Sequence, residues 1–331
     1  MNPIRITIGI PTYNRAVDIR GAIESVLAQM NGRFHDRLDI LVSDNASTDS
    51  TQEVVRDYMS RYPERVTYRR NPHNIGFSRN VDALIRHARG EFVLLLSDDD
   101  VLDDNALAVL WDILDQHGDV GLVFLSETPY DSALREPLFP KAGHVSRKGG
   151  VLYRPGLEYV RKNRIFPPFL LSGYVVRRNA WIRADATEFH DTLCVHTLTA
   201  LKMALVTSVY WSHAPSIRYR SETSTGVNRW LDELYPFTFY LNLLAGCRSV
   251  GPYCPAVVHR YLHQQAMRSI AYNIMNLKVT SGRLPPLLRN RLKKHADRGD
   301  PLYWCNLMLL LAPLWMIRIL FKIAARLRST R

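Results

Sequence analysis

The sequence predicts an α/β fold with a mostly parallel sheet and helices on both faces, followed by a helical, basic C-terminal region. Three observations predict it. Apolar segments with strand periodicity alternate with segments of helical periodicity as far as about residue 125, which is typical of parallel strands joined by crossover helices. Polar runs follow several of these strands directly. Beyond about residue 220 the pattern becomes helical, and Asp297 and Asp300 are the only acidic residues after Glu233.

The first two strand–helix units are predicted from their periodicity. Isoleucine at every second position of residues 4–10 is the alternation of a strand, which a proline then ends. Apolar residues within 19–30 recur at helical spacing and define one buried face. Residues 38–42 form a second apolar run. Ser50 and Glu53 then have the spacing of a capping box, which predicts a helix as far as about residue 61.

The next units continue in the same order. Residues 66–69 predict a third strand, and a helix over 81–88 is ended by a glycine. Residues 92–96 are apolar throughout, which is typical of a central strand buried on both faces. A helix over 105–117 and a strand over 122–125 follow. The order is therefore β-α-β-α-β-α-β-α-β, and such sheets bind ligands at the carboxyl ends of their strands.

Three carboxylates, Asp98, Asp99 and Asp100, directly follow the central strand. Like charges packed at the end of an apolar strand disfavour each other's ionised forms, and a divalent cation with oxygen ligands compensates them. The run therefore predicts a metal site. The alternative is a solvated acidic turn that caps the next helix, because Asp103 and Asp104 lie close by.

Two other segments have the composition of ligand-binding loops. Asp44 follows the second strand within a Ser/Asn/Thr cluster that can bind a base or ribose, and it comes too early to cap the helix near Ser50. Arg79 lies at a helix start after a glycine loop, where it is suited to a phosphate; the alternative is a plain helix start with Arg79 in water. No G-x-G-x-x-G follows the first strand and no P-loop motif occurs, which argues against nicotinamide enzymes and P-loop kinases.

Four segments in register resemble the nucleotide-sugar half of family 2 glycosyltransferases of the GT-A fold. They are IGIPTYNR at 8–15, VSDNASTD at 42–49, NIGFSRN at 74–80 and GEFVLLLSDDDVL at 90–102. The resemblance implies an inverting hexosyl- or deoxyhexosyltransferase that uses a nucleotide-sugar donor and Mg²⁺ or Mn²⁺, of the kind acting in bacterial O-antigen and lipopolysaccharide assembly. It fades after about residue 125.

The resemblance also implies roles for individual residues in donor binding. The family's nucleotide loop falls on Pro11, Thr12, Tyr13 and Asn14, its base- or ribose-binding aspartate on Asp44, and its acidic metal motif on Asp98 and Asp99. The family usually begins that motif with Asp, and Ser97 stands there in this chain. We therefore expect Asp99 to bind the metal and Asp98 to lie nearer the ribose, with Asp98 and Asp100 as alternative metal ligands.

In the family, the general base is typically an acidic residue at a helix start after a strand like residues 173–178. Asp191, before a predicted helix over 193–204, is our candidate. Glu188, His190 and His196 remain alternatives, and Asp191 as a plain helix cap is the other interpretation.

A basic segment further along resembles the part of many family members that closes over the donor diphosphate. It comprises Arg218, Arg220 and the loop 221–226. The alternative is a simple basic linker.

The charge distribution predicts a membrane-associated C-terminal region. Residues 1–150 contain 17 basic and 22 acidic side chains, whereas the rest contains 26 and 9. Residues 303–317 carry no charge, but as a helix of about 22 Å they fall short of the hydrocarbon core of roughly 30 Å. Arg318, Lys322 and Arg326 share one helix face, so we predict an amphipathic helix at about 302–328 on an anionic membrane surface. A core helix with a solvated basic tail is the alternative.

These patterns together predict a catalytic domain over 1–226, with a nucleotide-sugar half (1–125) and an acceptor half (126–226), and a helical region over 227–331. The N-terminus lacks the apolar segment of a signal peptide and the cysteines form no C-x-x-C pair. We therefore expect a peripheral protein on the cytoplasmic face of the inner membrane, with a lipid-linked glycan acceptor and no nucleic-acid partner. A sugar nucleotidyltransferase and a non-catalytic membrane scaffold are the alternative classes.

Overall fold

The computed structural model describes residues 3–30, 32–34, 36–138, 149–155, 158, 170–220, six helical positions between 264 and 275, 301–313, 315–317 and 319. The chain divides into two compact units. One comprises Met1–Asp191 and Val195–Val227, the other Thr192–Cys194 and Asn228–Arg331. The division into functional domains at residue 226 stays a prediction.

The described residues form nine strands and seven α-helices. The strands are β1 (Ile6–Thr12), β2 (Leu38–Asp44), β3 (Val66–Arg70), β4 (Phe92–Leu95), β5 (Val101–Leu102), β6 (Val120–Tyr130), β7 (Gly150–Tyr153), β8 (Tyr174–Arg177) and β9 (Ser208–Arg220). The helices are α1 (Ile19–Leu27), α2 (Thr51–Arg61), α3 (Phe77–His87), α4 (Ala106–Gln116), α5 (Arg178–Ala184), α6 (Val195–Ala204) and α7 (Pro301–Leu311). The predicted α/β order over the first 125 residues is confirmed.

The sheet has a parallel half and a mixed half. Its strand order is β3-β2-β1-β4-β8-β6-β9-β5, with β7 paired to β9. The first four strands in this order, β3, β2, β1 and β4, run parallel to one another, as predicted. β8 then lies antiparallel between β4 and β6, so the sheet beyond β4 is mixed. Strand order there depends on pairing between distant segments, which local periodicity does not encode.

Helices cover both faces of the parallel half. Ile6, Ile8 and Ile10 are completely buried in one apolar cluster with residues of α1 and α4. On the opposite face, Gly9 lies directly against Leu84 of α3, and a side chain at Gly9 would collide with it. Because alternate residues of a strand point to opposite faces, the single segment β1 anchors helices on both sides.

One edge of the parallel half collects the polar ends of the strands. Thr12, Asp44 and Arg70, the last residues of β1, β2 and β3, stand opposite one another in register. The run 97–100 follows β4 at the same edge. We call these residues the polar edge. β1 thus continues through Pro11 to Thr12, slightly beyond the predicted strand end.

In the second unit, α7 covers the start of the predicted amphipathic helix. It begins with Pro301, at a position where proline is favoured, and ends two residues before Pro313. Its exposed apolar side chains include Trp304, Met308 and Leu311, at i, i+4 and i+7. Within the described part of the chain, no helix combines the length and apolarity that crossing a membrane requires. The predicted basic face, Arg318, Lys322 and Arg326, lies outside the described residues.

Candidate active site

Four carboxylates and two guanidinium groups meet beside the polar edge. Asp98 and Asp99 approach Arg15, with 3.9 Å from Asp98 Oδ1 to Arg15 Nε and 3.7 Å from Asp99 Oδ2 to Arg15 Nη2. Asp18 lies between the two arginines, 3.3 Å from Arg15 Nη1 and 3.9 Å from Arg220 Nη2. Sequence reasoning did not identify Arg15 or Asp18. Arg15 is the last residue of the motif IGIPTYNR and Asp18 follows it by three positions, which is the signal that could have found them.

Asp98 and Asp99 are destabilised as anions. Burial, together with the charge of Asp99, raises the pKa of Asp98 to about 8. Burial also raises the pKa of Asp99, against the opposing effect of Arg15. A dication beside these carboxylates would favour their ionised forms, because an opposite charge at short range lowers the pKa of an acid.

Asp100 has a different environment from its two neighbours. Its Oδ2 accepts a hydrogen bond from Ser172 Oγ at 2.5 Å, and its Oδ1 accepts one from the backbone N–H of Arg220 at 3.0 Å. Ser172 Oγ in turn accepts from the backbone N–H of Ser97 at 2.9 Å. Both oxygens of Asp100 therefore fasten β4, β8 and β9 together at this edge. This arrangement favours Asp98 and Asp99 over Asp100 as metal ligands.

The charges and donors at this cluster fit a divalent ion shared with a ligand. The cluster contains four carboxyl groups (Asp18, Asp98, Asp99, Asp100) and two guanidinium groups, so full ionisation, which a bound dication favours, would leave two negative charges. Among the described residues, no group of three or more acidic, His or Cys side chains is arranged as a complete metal cage. Mg²⁺ is usually held by one or two carboxylates and completed by substrate phosphates and water. Asp98 and Asp99 match that incomplete type of site.

Asp44 is held by its neighbours at the polar edge. Its Oδ2 accepts from Tyr68 Oη at 2.5 Å, and its Oδ1 accepts from the backbone N–H and Oγ of Ser47 at 2.8 and 2.6 Å. The side chain has no exposed surface. Burial and this hydrogen bond raise the pKa of Tyr68. Asp44 thus shapes the loop that follows β2. A direct contact between Asp44 and a base or ribose stays a prediction. It requires Asp44 to give up its hydrogen bond from Tyr68 or those from Ser47.

The loop after β1 is pinned to the loop after β2. Asn14 has a left-handed backbone (φ 55°), and its Oδ1 accepts from the backbone N–H of Thr48 at 2.7 Å. The backbone N–H of Asn14 donates to Ser47 Oγ at 2.9 Å. Tyr13, which lies between Thr12 and Asn14 in this loop, is 43% exposed. The loop therefore presents an aromatic ring at the polar edge. The hydroxyl of Thr12 is buried beside Asp98, where it favours the ionised form of that carboxyl against the effect of burial.

The structure joins two residues to which the sequence assigned separate roles. Arg79 Nη2 lies 2.8 Å from Asp191 Oδ1, and Arg79 Nη1 donates to the backbone oxygen of His190 at 3.5 Å. The side chain of Asp191 is 88% exposed. Arg79 thus faces the segment that carries the candidate base, and a contact with donor phosphate stays a prediction.

The alternatives for the general base are engaged elsewhere. Glu188 Oε1 pairs with Lys202 Nζ at 2.7 Å. His196 is buried, and its ring packs edge-on against Tyr174 with 5.1 Å between ring centroids. His190 donates to a buried carboxylate, as described below. These contacts favour Asp191 as the most accessible of the four candidates.

Arg218 and Arg220 belong to β9, so they are part of the sheet rather than of a loop. Arg218 Nε donates to Asp103 Oδ1 at 2.7 Å. Arg220 Nε donates to the backbone oxygen of Asp99 at 3.2 Å. Of these two arginines, Arg220 is therefore the one that contacts the acidic run 98–100. The predicted loop 221–226 lies outside the described residues.

Glu127 is a buried acid that sequence reasoning missed. It follows an irregularity in the pairing of β6 with β9. Its Oε1 is buried without a hydrogen-bond partner among the described residues. Burial, and then the charge of Asp100, raises the pKa of Glu127 to about 8. Nothing in the local pattern of β6 distinguishes this residue from an exposed strand glutamate.

A solved structure with a bound nucleotide sugar shares this architecture. The structure of S. aureus TarS 1–349 in complex with UDP-GlcNAc matches with a TM-score of 0.66 and 16% identity, covering 88% of this chain and 80% of that one. Identity this low establishes the fold alone. The protein therefore has a GT-A-type fold, with the acidic run at the carboxyl end of β4.

The family follows from the sequence comparison. Residues 7–170, just under half of the chain, match glycosyl transferase family 2, so the chain contains a family 2 domain. Abequosyltransferase RfbV of Salmonella typhimurium is 36% identical over 126 residues, covering 38% of this chain and 37% of the relative. The GalNAc(5)-diNAcBac-PP-undecaprenol beta-1,3-glucosyltransferase of Campylobacter jejuni is 36% identical over 107 residues, covering 32% and 33%. The chain thus matches little more than a third of the length of these relatives.

Proposed function

We propose that the protein is an inverting, metal-dependent glycosyltransferase that moves a sugar from a nucleotide-sugar donor to a hydroxyl of a lipid-linked glycan. The observation that carries the proposal is the adjacent pair of carboxyl groups, buried Asp98 and partly buried Asp99, in a cluster with more carboxyl than guanidinium groups at the strand ends of a family 2 domain. Such a pair is suited to a dication and the diphosphate it accompanies.

The donor nucleotide would bind along the polar edge. The exposed ring of Tyr13 offers a stacking surface for a base, and the loop that holds it is fixed by Asn14 and Ser47. The hydroxyl of Thr12 lies at the start of the same loop, beside Asp98. Pro11 and Asp44 set the positions of the two loops.

Asp98 and Asp99 would hold Mg²⁺ or Mn²⁺. A bound ion supplies positive charge that stabilises the departing diphosphate. Arg15 already neutralises part of the cluster from the protein side, and Arg220 contributes a second positive charge beside Asp18. These residues would orient the diphosphate end of the donor and stabilise the negative charge that develops on the diphosphate as it leaves.

Asp191 would act as the general base. Its exposed carboxylate can accept the proton of an acceptor hydroxyl, while the ion pair with Arg79 holds the side chain in position. The deprotonated oxygen then attacks the anomeric carbon from the face opposite the nucleotide, the C–O bond to the diphosphate breaks, and the anomeric configuration inverts.

The acceptor and the membrane location are supported by two further observations. The name of the Campylobacter relative specifies an undecaprenol-linked substrate. The exposed Trp304, Met308 and Leu311 form one apolar face of α7, and aromatic residues are favoured at a membrane interface. We propose a peripheral association with the cytoplasmic face of the inner membrane, aided by Arg318, Lys322 and Arg326.

The first experiment identifies the reaction class from its released product. The protein is screened by thermal shift against nucleotide sugars with Mn²⁺, and the stabilising donor is then incubated with a lipid-linked glycan extract. A glycosyltransferase releases a nucleoside diphosphate. Pyrophosphate release from a sugar phosphate and a nucleoside triphosphate would instead identify a nucleotidyltransferase, and no release in either assay would favour a scaffold.

The second experiment tests the metal ligands. Asp99→Asn should lose transfer and should bind donor equally with and without Mn²⁺, because one of two carboxylate ligands is gone. Asp57→Asn is the matched control, since Asp57 forms only an exposed ion pair with Arg61. Full activity of Asp99→Asn, or of the wild type in excess chelator, would contradict metal dependence.

The third experiment tests membrane binding by flotation with anionic vesicles. Each basic residue near an anionic surface contributes about 1 kcal/mol. Replacing Arg318, Lys322 and Arg326 by Glu should therefore reduce partitioning by on the order of a hundredfold. Trp304→Gln should also weaken binding, whereas Val206→Gln, an exposed apolar site in the first unit, is the control. Equal flotation of all variants would exclude this region as the anchor.

A further inference from the structure

A buried carboxylate in α3 binds the segment that carries the candidate base. Asp82 is 3% exposed, and it accepts three hydrogen bonds from different parts of the chain. Its Oδ2 accepts from Arg86 Nε and pairs with His190 Nε2, each at 2.9 Å, and its Oδ1 accepts from Trp181 Nε1 at 2.9 Å. We call Asp82, Arg86, Trp181 and His190 the Asp82 cluster.

The cluster is a costly way to pack these elements. The carboxylate of Asp82 loses its hydration on burial, and a carboxylate in such a place is often no more stabilising than an apolar side chain of similar volume. The carboxylate of Asp82 constrains the orientation of the His190 ring, because it is hydrogen-bonded to one of the two ring nitrogens. With Nε2–H donating to Asp82, the ring is held at one orientation next to Asp191.

One face of α3 makes all of these contacts. Arg79, Asp82 and Arg86 are spaced i, i+3 and i+7, so they line one side of the helix. Arg79 binds Asp191 and the backbone oxygen of His190, Asp82 binds the His190 ring, and Arg86 Nη2 lies 3.7 Å from Asp185. The segment 185–191 is therefore fastened to α3 at three successive points.

The N-terminal end of α3, which carries Arg79, is also fastened to the end of β2, next to the polar edge. Asn45, directly after β2, donates through Nδ2 to Asn74 Oδ1 at 2.7 Å and accepts at Oδ1 from the backbone N–H of Ile75 at 2.9 Å. Asn80 Nδ2 donates to the backbone oxygen of Ser43 in β2 at 2.9 Å. The same helix thus connects the nucleotide loops to the segment of Asp191.

We propose that Asp82 is a positioning residue which, through His190 and together with Arg79, holds Asp191 at the place where it takes the acceptor proton. The proposal rests on the proposed function, in which Asp191 is the base. Proton transfer depends steeply on the placement of the reacting groups, and a displacement of about 1 Å can reduce a rate by on the order of 10². Asp82 would therefore affect catalysis without touching the substrate.

The principal variant is Asp82→Asn, which keeps the size of the side chain and removes its charge. We expect kcat to fall by roughly 10- to 100-fold, with the KM for donor and the affinity for nucleoside diphosphate unchanged. Asp57→Asn, the exposed counterpart in α2, should leave all three quantities unchanged.

A double-mutant cycle separates positioning from structural damage. If Asp82 acts through Asp191, the residual rate of Asp191→Asn should not fall further when Asp82→Asn is added, because the group being positioned is already absent. If Asp82→Asn lowered the rate by the same factor in the wild type and in Asp191→Asn, the proposal would be overturned. Wild-type kcat in Asp82→Asn would also overturn it.

His190→Ala and His190→Gln provide the test if Asp82→Asn does not fold. His190 lies near the surface, with a side chain that is 19% exposed, so its replacement should be tolerated. We expect His190→Ala to lower kcat and His190→Gln, which retains an N–H donor for Asp82, to restore part of it; equal kcat in both would overturn the proposal. Wild-type activity of Asp191→Asn is a separate result, which would refute the assignment of the base and this role with it.

Discussion

The carboxyl of Glu127, which has one buried oxygen without a hydrogen-bond partner among the described residues, should make the stability of the protein depend on pH in a predictable direction. Its pKa rises from the ordinary value of 4.5 to about 8 in the folded state, because burial and the charge of Asp100 disfavour the anion. An acid whose pKa is raised by folding contributes full stability below the unfolded pKa. That stability is lost as the pH rises from about 4.5 through about 8.

The size of the effect follows from the two pKa values. Each pH unit between them corresponds to about 1.4 kcal/mol, so the loss between pH 5 and pH 7 is about 2–3 kcal/mol. Glu127→Gln keeps the shape of the side chain and cannot ionise. The variant should gain about that much stability over the wild type between pH 5 and pH 7. For a domain of 150–250 residues this corresponds to a shift in Tm of roughly 5 °C or more.

The assay is thermal unfolding of both proteins in one buffer series from pH 5 to pH 8. The informative quantity is the difference in Tm between variant and wild type at each pH, because titrating groups that do not interact with Glu127 contribute equally to both. Glu136→Gln, at an exposed position in the following turn, is the control and should give a constant difference. A difference for Glu127→Gln that stays constant, or that shrinks with rising pH, would refute the reasoning.

Two further predictions concern the polar edge and the sheet. Tyr68→Phe removes the 2.5 Å hydrogen bond to Asp44. It should reduce the free energy of unfolding by roughly 1.5–3 kcal/mol and weaken donor binding several-fold in a titration. Unchanged donor affinity would indicate that Asp44 does not contribute to the nucleotide site. Gly90→Ala would place a Cβ within 2.5–2.9 Å of backbone atoms of the neighbouring strands; it should lower stability by roughly 3 kcal/mol in urea unfolding, while Gly118→Ala, with open space around it, should change little.

The elements and the place of the site could be predicted from sequence because both depend on local patterns. Alternating isoleucines specify a strand with two buried faces, and apolar residues at helical spacing specify a helix with one. The position of Asp98 and Asp99 follows as well, since any residue directly after a parallel strand lies at the carboxyl-end edge of the sheet. These inferences require only the geometry of the chain over about ten residues.

The partners of each charged side chain were decided by the tertiary structure alone. Asp100 is bound by Ser172 and by the backbone of Arg220, which are 72 and 120 positions away, and this distinguishes it from Asp98 and Asp99. Arg79 meets Asp191 across 112 positions. Periodicity determines on which face or at which end a residue lies. The free energy of an ionised group depends on burial and on charges within a few ångströms, and those neighbours are assembled only when distant strands pair.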